Sequence, residues 1–233
     1  MSSNFGADDP GIERTLSVLL GNRFQTDERR RIVSIDFSDF EESSDVHILL
    51  TRSLPQLAKL TTRLQELHIS GCKELDYLPP EIGNLCHLAT LRLSGFRKLR
   101  SLPKEIGDLS CLKQLTLENC GSLRFLPVEV GKLTALEGPY LCNCQSLTCL
   151  PGGLSTLKRP IISYCEKLNT LPAEIGNLKA LEDLHLRICV SVTWLPAEIG
   201  GLSNLKRLNL SNCSKLNTLP AEIGNLKALE YLD

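Results

Sequence analysis

Ten cysteines and four histidines in a chain of 233 residues supply the groups for metal ligation, nucleophilic catalysis or disulfide cross-linking. Cys86 and His87 stand side by side, the composition of a thiol–imidazole nucleophile. Neighbours on a turn point in different directions, however, so this pair is expected to remain apart. Cys142, Cys144, Cys149 and Cys165 bring four thiols into one stretch, enough in number to hold zinc. Whether any of these groups converge depends on the elements that carry them.

Those elements repeat. The Leu-Pro pairs begin at Leu54, Leu78, Leu102, Leu126, Leu150, Leu171, Leu195 and Leu219, spaced by 24 residues except for one interval of 21. The segment KLNTLPAEIGNLKALE occurs identically at 167–182 and 215–230, two units apart. A period in the 20s belongs to solenoids whose units bury nothing alone and acquire a core only by stacking.

Within the unit LCHLATLRLSGFRKLRSLPKEIGD, over 85–108, Leu91 and Leu93 alternate with Thr90, Arg92 and Ser94, the period of a strand with one buried face. In LPKEIGDL, Pro103 suits the first position of a helical turn and Glu105 its positive end. Gly107 is expected to close that turn in a left-handed conformation. Ile106, Leu109 and Leu112 then recur every three residues and lay an apolar stripe behind the strand. Six cysteines, at 72, 120, 144, 165, 189 and 213, share one position after the strand, with Phe96 in the remaining slot. They are read as small structural groups inside a bend.

The pattern LxxLxLxxCxxLxxLPxEIGxL resembles intracellular leucine-rich repeat proteins, in particular the repeat regions of plant-type disease-resistance receptors and the Ras-group-related repeat proteins, both of which use LPxxIGxL. The resemblance implies an α/β solenoid, a right-handed horseshoe arc. Parallel strands line its concave face, and short helical turns or loops form its convex face. It further implies non-catalytic recognition of a protein or peptide in signalling or defence. The alternative is the sensor portion of a larger signalling protein whose catalytic or nucleotide-binding part is not in this chain. No GxxxxGK[ST] loop or kinase HRD and DFG segment is present in the sequence.

Residues 1–31 are read as an N-terminal capping region, with Ile12, Leu16, Leu19 and Leu20 on one helical face. Residues 32–233 are read as about nine strand-bearing units, stopping inside a strand at ALEYLD without a C-terminal cap. Pro139 and Pro160 occupy positions where inward strand leucines belong. They either kink the array to shape a surface or mark drift in the repeat.

Twenty-six Lys and Arg balance 27 Asp and Glu, for a formal net charge of −1, so a nucleic-acid or membrane partner is not expected. The polar start MSSNFGADDP lacks the features of a secretory leader, and the chain is expected to be cytoplasmic.

Stacking converts repeat number into distance. His68 and His185 take the same outward position five rungs apart, roughly 24 Å at the ~4.8 Å spacing of strands, too far to share a metal or a proton. Two of the four clustered cysteines already fill the structural slot. No catalytic, metal-binding or cofactor-binding residue is therefore assigned, and no cofactor is expected. The partner-binding residues are expected on the concave face: Arg92, Tyr140, Asp183, His185, Arg187, Arg207, Asn209 and Tyr231.

Overall fold

In the computed structural model the described residues are 23–29, 32–37, 63–152 and 157–233. They form one open sheet in strand order 1 to 10. Its strands are β1 (Phe24–Thr26), β2 (Ile32–Phe37), β3 (Glu66–Ser70), β4 (Thr90–Ser94), β5 (Gln114–Glu118), β6 (Gly138–Cys142), β7 (Ile161–Ser163), β8 (Asp183–Arg187), β9 (Arg207–Asn209) and β10 (Tyr231–Leu232). From β2 onward every pairing is parallel, as the repeat requires, whereas β1 runs antiparallel to β2. β1 falls within the segment read as a capping region; the helical stretch expected at 12–20 lies outside the described residues.

Among the described residues six returns are five-residue 3-10 turns: Pro80–Asn84, Lys104–Asp108, Val128–Lys132, Ala173–Asn177, Ala197–Gly201 and Ala221–Asn225. Successive i→i+3 bonds link Ile106 N–H to Pro103 O, Leu109 N–H to Ile106 O and Leu112 N–H to Leu109 O at 3.1, 3.3 and 2.9 Å. Three residues per turn brings Ile106, Leu109 and Leu112 onto one line, and all three are buried against the inward leucines of the strands. The proline stands just before the turn rather than at its first position, in extended geometry with φ −67° and ψ 150° at Pro103.

Gly107 serves a purpose different from the expected left-handed stop, since the only glycines at positive φ among the described residues are Gly71 and Gly95. A Cβ on Gly107 would stand 2.6 Å from the carbonyl oxygen of Glu129 in the following unit; at Gly176 the clash with Glu198 O would be 2.3 Å. The glycine is therefore a close-approach residue, letting one turn lie directly on the next. Left-handed backbone occurs elsewhere, one residue before the cysteine slot. Gly71, Gly95, Asn119, Asn143, Tyr164, Ile188 and Asn212 all have φ between 55° and 76°. Glycine and asparagine tolerate that geometry, whereas β-branched Ile188 is strained in it.

Each slot thiol sits inside this bend. Cys120 Sγ lies 3.6 Å from Glu118 O and 3.8 Å from Leu93 O of the preceding unit. Cys144 repeats the contact with Leu117 O at 3.5 Å, and Cys213 reaches Leu186 O at 2.9 Å. These thiols add weak donors to carbonyls at the end of the strand, some of which already accept a backbone N–H from the neighbouring rung, as Glu118 O does from Gly95 at 2.8 Å.

Pro139 and Pro160 do face the core; the sheet runs through Pro139 and resumes directly after Pro160. Pro139 is in register with Leu115, and the next pair, Tyr140 with Ile161, fixes the alignment across the 21-residue unit. Each proline deletes a ladder donor. β7 accordingly begins only after Pro160 and holds three residues, with the bond from His185 N–H to Pro160 O stretched to 3.4 Å.

Two substitutions separate these roles. Gly176→Ala should lower the thermal midpoint by an overpacking cost of about 1–3 kcal/mol, whereas Gly224→Ala, whose Cβ meets nothing within 4 Å, should be neutral or slightly stabilising. Equal destabilisation by both in thermal melts would contradict the close-approach role. Ile188→Asn should raise the midpoint by relieving about 1 kcal/mol of left-handed strain, and a lower midpoint would contradict that.

Candidate functional site

Strand register builds the outward face as columns. The central column reads Asp36, His68, Arg92, Thr116, Tyr140, Ile161, His185 and Asn209, each paired directly with the next. Ser70, Ser94, Glu118, Cys142, Ser163 and Arg187 form a second column, and Asp183, Arg207 and Tyr231 continue a third. Inward leucines between them are fully buried, so the outward side chains stand on a rigid base.

The sequence-selected residues divide by environment. Arg92, Arg187 and Arg207 are exposed, and His185 and Asn209 half-buried. Tyr140 and Tyr231 are 38 % and 48 % exposed, with Ile161 beside Tyr140 at 37 %. Asp183 differs: only 4 % of it is exposed. Its Oδ2 accepts from Arg207 Nη2 at 2.7 Å and lies 3.4 Å from Arg159 Nε, while Oδ1 has no hydrogen-bond partner among the described residues. Asp183 therefore fixes two guanidinium groups rather than presenting itself to a partner.

Arg159 also donates to Glu182 at 3.2 Å, and Lys206 approaches the same carboxylate at 3.8 Å. The Arg159 hydrogen bond and the Lys206 charge hold the Glu182 carboxyl below its ordinary range. Farther along, the Tyr231 hydroxyl donates to Asp233 at 3.2 Å, which pushes the phenol up.

Beside these columns runs a rim that sequence reasoning passed over. Lys113, Glu137, Lys158, Glu182, Lys206 and Glu230 occupy equivalent positions at the strand entrance in six successive units and alternate in sign. Aligning the units on their Leu-Pro pairs would have revealed it. The backbone carries the same register, with Glu137 N–H donating to Lys113 O, Lys158 N–H to Glu137 O, Glu182 N–H to Lys158 O and Lys206 N–H to Glu182 O.

Where the rim meets the irregular unit the face is hollow. Gly138 contributes no side chain to the third column, and none would fit, because a Cβ there would lie 2.5 Å from Arg159 O. The resulting basin of about 730 Å³ is lined by Arg92, Lys113, Thr116, Tyr140, Lys158 and Arg159, among others. Of the expected partner-binding residues, Arg92 and Tyr140 thus share a concavity. His185, Arg187, Arg207 and Asn209 lie on the two strands beyond it.

The thiols and imidazoles sort by position. Burial pushes the Cys72 thiol up to about 11 and Cys189 up to about 12, and raises Cys165 and Cys213 as well. These slot cysteines are poor nucleophiles at neutral pH. Cys144 and Cys165 are buried, Cys142 is half-buried and Cys149 exposed, and no group of three or more metal-ligating side chains comes together among the described residues. Cys86 departs from expectation: its Sγ lies 3.2 Å from His87 Nδ1, so the adjacent side chains meet instead of diverging.

No helix among the described residues is long and apolar enough to cross a membrane. A family model described as a leucine-rich repeat region matches residues 161–233, and one for the single leucine-rich repeat matches 63–85. A search of curated proteins returns no match. Among solved structures, the leucine-rich repeat domain of the type III effector XopL is 26 % identical with a TM-score of 0.56, over 75 % of this chain and 70 % of that one. A leucine-rich repeat protein of Leptospira interrogans is 28 % identical with a TM-score of 0.52, over 92 % of this chain and 62 % of that one, so the chain spans less than two-thirds of its length. Internalin C2 of Listeria monocytogenes shares the fold at 16 % identity, with a TM-score of 0.55 over 96 % and 92 % of the two chains. Period, register and these likenesses agree on the fold: the chain is a leucine-rich repeat solenoid.

Proposed function

We propose that the chain is a non-catalytic recognition scaffold that binds a partner protein or peptide on its concave face, in a signalling or defence role. The observation that carries this reading is the basin at Gly138. There the ordered columns open into a concavity with Tyr140 and Arg92 at its wall, side chains of the types that dominate interface energetics. The mechanism is geometric. A stiff sheet holds outward groups at strand spacing, so their ordering cost falls on folding rather than on binding.

The eight residues expected from the sequence take different parts in this reading. Arg92 and Tyr140 contact the partner within the basin, while His185, Arg187, Asn209 and Tyr231 extend the contact along the face. Arg207 also belongs to it, held in place by Asp183. The mixed charges of the rim favour a partner bearing both signs over a uniformly charged polymer.

Variants must leave the Asp183 anchor intact, because Arg207→Glu would strand a buried carboxylate and confound folding with binding. Tyr140→Ala and Arg187→Glu avoid this, as both side chains are exposed and neither belongs to that anchor. Immobilised wild-type chain should retain a partner from lysate, identified by mass spectrometry, and binding of that purified partner to the Tyr140→Ala/Arg187→Glu variant should weaken by about thirtyfold or more. Undiminished binding at an unchanged thermal midpoint would reject the concave site.

A further inference from the structure

The meeting of Cys86 with His87 lies outside the concave face, on the segment between a 3-10 turn and β4, and both residues are exposed. Its hydrogen-bond polarity can be worked out from its partners. His87 Nε2 lies 3.3 Å from Nη1 of Arg63, the residue one unit earlier. A guanidinium has only donors, so Nε2 must be the accepting, unprotonated nitrogen. The ring proton of the neutral imidazole then resides on Nδ1, which faces Cys86 Sγ at 3.2 Å. Nδ1–H is the donor and sulfur the acceptor.

A donor aimed at sulfur bonds the anion more strongly than the neutral thiol, and the anion is the nucleophile in disulfide exchange. Among the described residues the other exposed thiols have no comparable contact. Cys111 sits one rung on, in the position equivalent to His87, and Cys149 takes the Thr148 hydroxyl at 3.9 Å. The slot cysteines are buried and committed to backbone carbonyls.

We propose that Cys86 is a thiol-modification site for low-molecular-weight disulfides, with His87 as the hydrogen-bond donor to its sulfur and Arg63 as the residue that fixes the imidazole tautomer. In the reaction the Cys86 sulfur attacks one sulfur of the disulfide RSSR. A bond forms between Cys86 Sγ and that sulfur, the original S–S bond breaks, and the departing RS− takes up the proton released by Cys86. The disulfide is the oxidant, and the products are a Cys86 mixed disulfide and one RSH.

The experiment uses the full chain, oxidised glutathione in excess and site-resolved peptide mass spectrometry over time. Cys86 should gain the adduct ahead of Cys111 and Cys149 by on the order of fivefold or more, the factor of one hydrogen bond. His87→Ala should bring it down to their rate while the slot cysteines stay unmodified, showing that the fold is intact. In strong denaturant the lead should vanish for the wild type, because it belongs to the folded contact. Cys86 reacting no faster than Cys111 and Cys149, a lead that survives His87→Ala, or one that persists after unfolding would each overturn the proposal.

Discussion

Every feature of this molecule depends on the direct stacking of each unit on the last. The glycine of the convex turn shows how tight that constraint is, since even one methyl group at Gly176 would lie 2.3 Å from the next backbone oxygen. On the concave side, register pairs each residue with its equivalent one unit later. A position in the repeat therefore becomes a column in space. Inward columns fuse into one aliphatic core, outward columns become a surface, and the slot cysteines from Cys120 onward become a row of thiols leaning on the preceding unit's carbonyl.

This equivalence explains what could be read from the sequence. The period of 24, the inward leucines and the whole central column from Asp36 to Asn209 follow from aligning units, and register reproduces them. Features that arise between units, or from local conformation, were hidden. The glycine of EIG looks like a turn-ender in its own unit, and only the neighbouring Glu carbonyl shows otherwise. The left-handed bend carries Gly, Asn, Tyr and Ile at equivalent positions, so residue type gave no consistent sign of it. Asp183 seemed an outward acidic group until two arginines from adjoining rungs closed over it. Cys86 and His87 are expected to diverge as neighbours on a turn, whereas the folded return brings them together and sets Arg63, 24 residues upstream, on the same imidazole.

The irregular unit shows the same constraint at its limit. A 21-residue spacing, two inward prolines and a glycine in an outward column coincide, yet the sheet crosses them without losing register. The backbone of Arg159 comes so close to Gly138 that no side chain fits, and the surface sinks at that place. The basin thus results from local compression of the stack.

The alternating rim has a consequence for how such a chain can lengthen. Lys and Glu exchange places at each step from Lys113 to Glu230, so the smallest truly repeating object is a pair of units, much as an ionic lattice has a cell containing both signs. Inserting a single unit within the rim would break parity and set like charges side by side on neighbouring rungs, a contact that costs a few tenths of a kcal/mol or more. Adding a pair preserves parity, and the identical segments at 167–182 and 215–230 lie a pair apart and both end on glutamate. The rim acts as a parity check on growth, favouring insertions of even numbers of units over odd ones.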